Sequence, residues 1–123
     1  MVPRKSAGSK VPVLYKIMSK QEWKTAQAQG IYEGSEVDRR DGFIHLSATH
    51  QVRTTAQKYF SGKADLVLIS VREENLGPGL KWEISRGGDL FPHVYGALRL
   101  SAISEVVPLP LVNRAHQFPE GLP

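Results

Sequence analysis

Apolar residues recur along this chain with two periods, and each change of period marks an element. Val13, Tyr15 and Ile17 alternate with Leu14 and Lys16, which predicts a strand over 13–17 with those three on one face. Ser19-Lys20-Gln21-Glu22 has the capping-box pattern, in which Ser19 accepts from the Glu22 amide and Glu22 reaches back. A helix over about 20–29 follows, with Trp23 and Ala26 on its buried side and Gly30 as the left-handed stop. Ile31 and Tyr32 return the chain to the sheet, and the charged stretch 33–41, with Gly34, reads as a mobile loop.

Asp41-Gly42-Phe43-Ile44-His45-Leu46-Ser47 reads as a turn and then a short strand. Its alternation puts Phe43, His45 and Ser47 on one face and Ile44 and Leu46 on the other. Thr49 is placed as the cap of a second helix, whose apolar stripe is Val52, Ala56, Tyr59 and Phe60 and whose end is Gly62. Leu66-Val67-Leu68-Ile69 is apolar on both faces and suits a central strand. Residues 72–79 form a loop ending in Gly-Pro-Gly. Leu80, Trp82 and Ile84 alternate with Lys81, Glu83 and Ser85, a half-buried strand. Arg86-Gly87-Gly88-Asp89 is a hairpin turn leading into a returning stretch, 90–95. Pro92 has no amide proton, which predicts an edge or a bulge there. Residues 102–107 supply the last strand, and 108–123, with four prolines, read as irregular.

Two early helices and late, clustered strands predict an α+β fold with a mainly antiparallel sheet. The 123 residues, 41% of them hydrophobic, suit one domain, placed at 11–112 between a disordered tail at 1–10 and an irregular tail at 113–123. The formal charge of +4 owes three units to Arg4, Lys5 and Lys10, so residues 11–123 carry only +1. That balance does not call for a nucleic-acid partner. No apolar run is long enough to cross a bilayer, and no secretion signal stands at the start. The absence of cysteine excludes disulfides, thiolate metal sites and cysteine nucleophiles, and fits a soluble cytoplasmic protein. Nothing in the pattern sets an oligomeric state.

The chemistry concentrates in His45, with Ser47 two residues on, and in Leu90-Phe91-Pro92-His93-Val94-Tyr95-Gly96, where His93 and Tyr95 share a face. Both stretches are expected to line one pocket. Glu83 lies on the polar face of its strand, where a carboxylate can stabilise a cationic sugar or orient a hydroxyl. Each residue has a structural role that competes: a backbone-bonded imidazole for His45, a turn or cap for Ser47, a surface charge for Glu83 and a packed aromatic turn for His93 and Tyr95. Three chemistries match the residue types. His45, His93 and Glu83 form a two-histidine, one-carboxylate metal set in type, without supporting ligand spacing. His45-Leu46-Ser47 fits the His-x-Ser/Thr element of two-histidine phosphoesterases, and His93-Val94-Tyr95 breaks its second copy. Nucleotide-sugar chemistry needs a ribose anchor, an aromatic platform and a carboxylate, which His45, Tyr15 or Tyr95, and Glu83 supply.

Gly-Phe-Ile-His-Leu-Ser at 42–47, Lys-Trp-Glu at 81–83, Phe-Pro-His-Val-Tyr-Gly at 91–96 and Val-Leu-Tyr-Lys-Ile at 13–17 together resemble the domain of unknown function family 952, over roughly residues 12–110. That family is similar in fold to ADP-ribosyltransferases, so the resemblance implies an ADP-ribosylation-like split, mainly antiparallel sheet around a dinucleotide cleft. It also implies that Lys16 occupies the first-strand position of a ribose anchor and His45 the second-strand position. Glu83 and the region of His93 compete for the place of a late catalytic glutamate. The resulting expectation is a small-molecule or nucleotide ligand, with NAD as substrate. His45, Glu83 and His93 would act at a ribosyl bond, and Lys16, Ser47 and Tyr95 would bind the ligand. A non-catalytic ligand-binding or interaction domain and a phosphoesterase are the other readings.

Overall fold

The computed structural model describes residues 12–120 and residue 122. The tail expected at 1–10 lies outside these residues. Strand β1, Val13–Ser19, pairs antiparallel along its length with β5, Leu66–Arg72. β5 pairs in turn with β9, Ile103–Leu109, and the other edge of β1 takes β4, Ser47–Ala48, giving the order β4-β1-β5-β9. A three-stranded antiparallel sheet has β7, Leu90–Val94, between β3, Ile44–His45, and β6, Leu80–Ile84. Two short ladders complete the pairing: β2, Ile31–Tyr32, with β8, Leu98–Arg99, and β10, Leu111–Val112, with β11, Ala115–His116. The fold is α+β with antiparallel pairing in every ladder among the described residues.

The four-stranded sheet is covered on both faces. On one, Leu14, Met18, Val67, Ile69 and Val71 pack with Ile44, Leu46, Val94 and Leu98 from the smaller sheets. On the other, Ile17, Leu66, Leu68 and Leu109 pack with Val52 and Ala56. Each such side chain contributes about 1.5–3 kcal/mol by leaving water. This is why residues 66–69 are apolar at every position. β1 is likewise buried on both faces, with Leu14, Lys16 and Met18 on the side opposite Ile17.

Helix α1, Lys20–Gln29, starts on the reciprocal Ser19–Glu22 box and stops at Gly30 in the left-handed region, as its sequence predicts. Other segments differ from their reading. The stretch 33–41 contains a helix, α2, Glu36–Asp41, held by its caps. Helix α3, Val52–Tyr59, is capped by Gln51 in place of Thr49 and ends at Phe60, before Gly62. The Gln51 side chain is occupied elsewhere, accepting from the Ala48 amide at 2.9 Å and donating to the Leu90 carbonyl at 2.8 Å. The segment after residue 108 is regular in part: β10 and β11 form a hairpin whose turn residues Asn113 and Arg114 have positive φ, the twist that two-residue hairpins favour, and residues 117–120 belong to no helix or strand. In β6 only Leu80 reaches the core, while Trp82 and Ile84 run past its edge and stay exposed.

Pro92 sits in a central strand, not at an edge, and the ladder explains how. Its carbonyl accepts from the Leu46 amide at 3.0 Å, so its nitrogen faces the same side, where β3 has just ended. Toward β6 it stands opposite Trp82, a position that asks for no donor from it.

Candidate functional site

The chain changes sheet at Leu46: His45 ends β3 and Ser47 begins β4. His45 stands directly opposite His93 in the register of β3 and β7. The two rings meet edge to face with centroids 5.3 Å apart. Phe43 shares their face, stacking on His93 at 4.1 Å and touching His45 at 4.6 Å. The joint pocket expected for residues 45 and 93 is therefore one continuous wall.

Each imidazole is held by its own carboxylate. α2 brings Asp38 in from outside the sheet. Ser35 accepts from the Asp38 amide at 3.1 Å, and the Asp38 carboxylate accepts from the Ser35 amide at 2.9 Å. Gly34 is required beside it: its φ is +105°, and a Cβ there would lie 2.8 Å from Asp38 Cβ. Asp38 is 2% exposed and its Oδ1 lies 2.7 Å from His45 Nδ1. It also accepts from the His45 amide at 3.2 Å, and from Lys16 Nζ at 3.1 Å on Oδ1 and 2.9 Å on Oδ2. Burial works against its charge, yet the His45 hydrogen bond and the Lys16 ammonium hold the carboxyl well below the usual range. Asp41 Oδ2 lies 3.1 Å from His45 Nε2, so a protonated His45 ring donates to a carboxylate from both nitrogens.

His93 is arranged differently. Its Nδ1 lies 2.7 Å from Glu83 Oε1, and the Tyr95 hydroxyl donates to the same carboxylate at 2.8 Å and 3.1 Å. The hydrogen bond from His93, then that from Tyr95, lowers the Glu83 carboxyl, and the bond to Glu83 raises the Tyr95 hydroxyl. An ionised Glu83 only accepts, so Nδ1 carries a proton and Nε2 is the ring nitrogen turned away from Glu83. That Nε2 is buried and has no hydrogen-bond partner among the described residues.

A cleft of about 960 Å³ opens between α1, α2, α3 and the β3–β4 crossing, and His45, Ser47 and His93 all line it. Lys16, Glu83 and Tyr95 are not in its lining. Lys16 is the buried counter-ion of Asp38, while Glu83 and Tyr95 back His93. Ser47 is buried, its Oγ 3.0 Å from Thr55 Oγ1. Tyr15 packs against the α3 side of the core. Asp38 and Asp41 were not read from the sequence as site residues, although Ser35-x-x-Asp38 carries the capping signal that places them. His50 is exposed, and His116 Nε2 lies 2.9 Å from the Lys63 carbonyl. Among the described residues no group of three His, Asp or Glu side chains is placed to hold a metal ion, the set of His45, His93 and Glu83 included. Among the same residues no helix is long and apolar enough to cross a membrane.

The crystal structure of protein CC0527 from Caulobacter crescentus is 51% identical, with a TM-score of 0.83 over 85% of this chain and 93% of that one. The solution structure of CC0527 is also 51% identical, with a TM-score of 0.76 over 85% and 90% of the two chains. No curated protein matches the sequence. A family model described as "Protein of unknown function (DUF952)" matches residues 17–106, which include the junction of β1 and α1, the His45 segment and the His93 strand, and the chain belongs to that family.

Proposed function

We propose that the cleft binds a nucleotide-type ligand and that the protein acts at a ribosyl bond, with NAD as the substrate. The observation that carries this reading is His93 Nε2, a buried polar nitrogen without a partner, on a residue that lines a ligand-sized cleft. A buried polar atom left unpaired is costly, and a ligand or water proton relieves that cost. The cleft volume falls within the range of roughly 300–1,000 Å³ usual for small-molecule sites. An α+β fold with antiparallel ladders is compatible with an ADP-ribosylation-type domain. Fold likeness alone carries no activity, so the argument rests on the site.

In this reading the C1′–nitrogen bond of the nicotinamide riboside breaks with its electron pair leaving on nicotinamide. A water oxygen bonds to C1′, and its proton passes to His93 Nε2. Glu83, already at Nδ1, stabilises the imidazolium that forms. His45 holds the substrate through Nε2, with a ribose hydroxyl taking the place of Asp41, whose side chain is about one-third exposed. The contact of the two rings leaves no room for a phosphate between an acid and a base. That geometry favours ribosyl over two-histidine phosphoester chemistry.

Thermal-shift titration with NAD, ADP-ribose and nucleoside cyclic phosphates, alongside chromatography for released nicotinamide, tests the proposal. NAD at a hundred times its Kd stabilises the fold by about 2.7 kcal/mol. His93→Gln is expected to keep binding within a few-fold and to abolish nicotinamide release. A shift with cyclic phosphates only transfers support to the phosphoesterase reading, and binding without release to a non-catalytic ligand-binding domain. No shift with any of them refutes the ligand assignment.

A further inference from the structure

Arg86 lines the cleft beside α3. The turn after β6 places it there, with Gly87 and Gly88 both at positive φ and the Ser85 amide donating to the Asp89 carbonyl at 2.8 Å. Its guanidinium lies 4.8 Å from the Phe91 ring centroid and 5.6 Å from that of Tyr59. One Nη donates to Thr55 Oγ1 at 3.3 Å. Thr55 is itself fixed, since it donates to the Gln51 carbonyl at 3.1 Å and so accepts from Ser47 at 3.0 Å. Ser47, buried at the sheet crossing, therefore orients the hydroxyl that orients the arginine. Among the described residues no carboxylate forms an ion pair with Arg86. Arg86 is half-buried and lines the cleft, as does the exposed Lys63. A guanidinium oriented by two rings and a hydroxyl, with donors left over, is a preformed partner for an anion.

Its position relative to the histidine wall narrows the anion. Phe91, under Arg86, and His93 are two residues apart on β7 and share a face, roughly 6.6 Å along the strand. We infer that Arg86, held by Phe91, Tyr59 and Thr55, is the phosphate subsite of the cleft, binding the phosphate of a nucleotide whose sugar reaches His93. The spacing is that of one ribose between a 5′-phosphate and its C1′. The acidic residues Asp38 and Asp41 lie on the His45 side and are themselves paired, Asp38 with Lys16 and Asp41 with Arg40, so Arg86 is the cleft-lining guanidinium placed nearest Phe91 and His93 on β7. This inference rests on the nucleotide reading above and names which part of the nucleotide goes where.

Titration calorimetry with AMP, adenosine and inorganic pyrophosphate tests it on the full chain. AMP is expected to bind the native protein at least about tenfold tighter than adenosine, the size of one charge-assisted contact. Pyrophosphate, which has neither base nor sugar, should displace AMP. Arg86→Gln should bring AMP to within about twofold of adenosine, and Arg86→Lys, which keeps charge without the planar fork, should retain part of the preference. Arg72→Gln, a surface charge paired with Glu74, should change nothing. Equal binding of AMP and adenosine by the native protein overturns the inference. So does failure of pyrophosphate to compete, a full preference in Arg86→Gln, or a loss in Arg72→Gln as large as that in Arg86→Gln. An Arg86-dependent AMP preference without nicotinamide release from NAD keeps the subsite and sinks the ribosyl reaction. Nicotinamide release with AMP no better than adenosine does the reverse.

Discussion

Asp38→Ala is the most informative single change to this protein. The carboxylate is 2% exposed and the Lys16 ammonium beneath it belongs to a residue 9% exposed. Removing the acid leaves that ammonium buried without its counter-ion, which costs about 3–5 kcal/mol. It also frees the Ser35 amide and the two His45 contacts at 3.2 Å and 2.7 Å. Against a total stability of about 5–15 kcal/mol, a loss of about 4 kcal/mol moves the urea midpoint far down and lowers Tm by roughly 15 °C. Lys16→Met in the same background removes the stranded charge and keeps the aliphatic stem. The double variant is therefore expected to recover about 2 kcal/mol relative to Asp38→Ala, a coupling read directly from a double-mutant cycle by urea denaturation. An Asp38→Ala variant within about 1 kcal/mol of the native protein, or simple additivity with Lys16→Met, refutes the reading of Asp38 and Lys16 as a coupled buried ion pair.

Further predictions concern the same wall. The Asp38 carboxyl titrates lower folded than unfolded, so its stabilising contribution is complete above the ordinary value of 3.8 and is lost as pH falls toward the folded value. Acid unfolding of the native protein should steepen below that point, and the Asp38→Ala variant should show a shallower acid limb by circular dichroism. Glu83→Gln removes the charge that stabilises imidazolium at His93, so nicotinamide release should fall by at least about tenfold with Tm nearly unchanged. Unaltered release would contradict that role. Gly79→Ala puts a Cβ 2.8 Å from the Tyr95 carbonyl oxygen, a backbone atom, and Gly79 itself accepts from the Tyr95 amide at 2.8 Å. The substitution should cost about 1–3 kcal/mol in urea denaturation.

Elements with both a periodic stripe and a terminator were legible in the sequence. α1 has the Ser19–Glu22 box, Ala26 and Gly30, and β5 has an unbroken apolar run that only a doubly covered strand explains. α2 lacked such a stripe. Its one large apolar residue, Val37, is 47% exposed, and the helix stands on its end caps and on what Asp38 bonds. A charged six-residue segment of that kind reads as a loop, so Asp38 and Asp41 went unread with it. Trp82 and Ile84 illustrate the opposite case: alternation gives the shared face but not where the core stops. The histidines were legible as a pair because each lies beside apolar residues that fix its face. Glu83 was legible as a candidate but its bond to His93 was not, because it crosses a ladder whose register no local pattern states, and Asp38 reaches His45 through a separate helix.

A ring that lacks a hydrogen to give also restricts how its neighbours align. The Leu46 amide donates to the Pro92 carbonyl, but Pro92 has no amide proton to return, so the reciprocal pair of a regular ladder cannot form and β3 pairing ends there. A slip of one residue would also turn His45 away from the cleft and present an apolar side chain there instead. The ladder that sets the two imidazoles opposite each other is thus ended by a residue with no chemistry of its own.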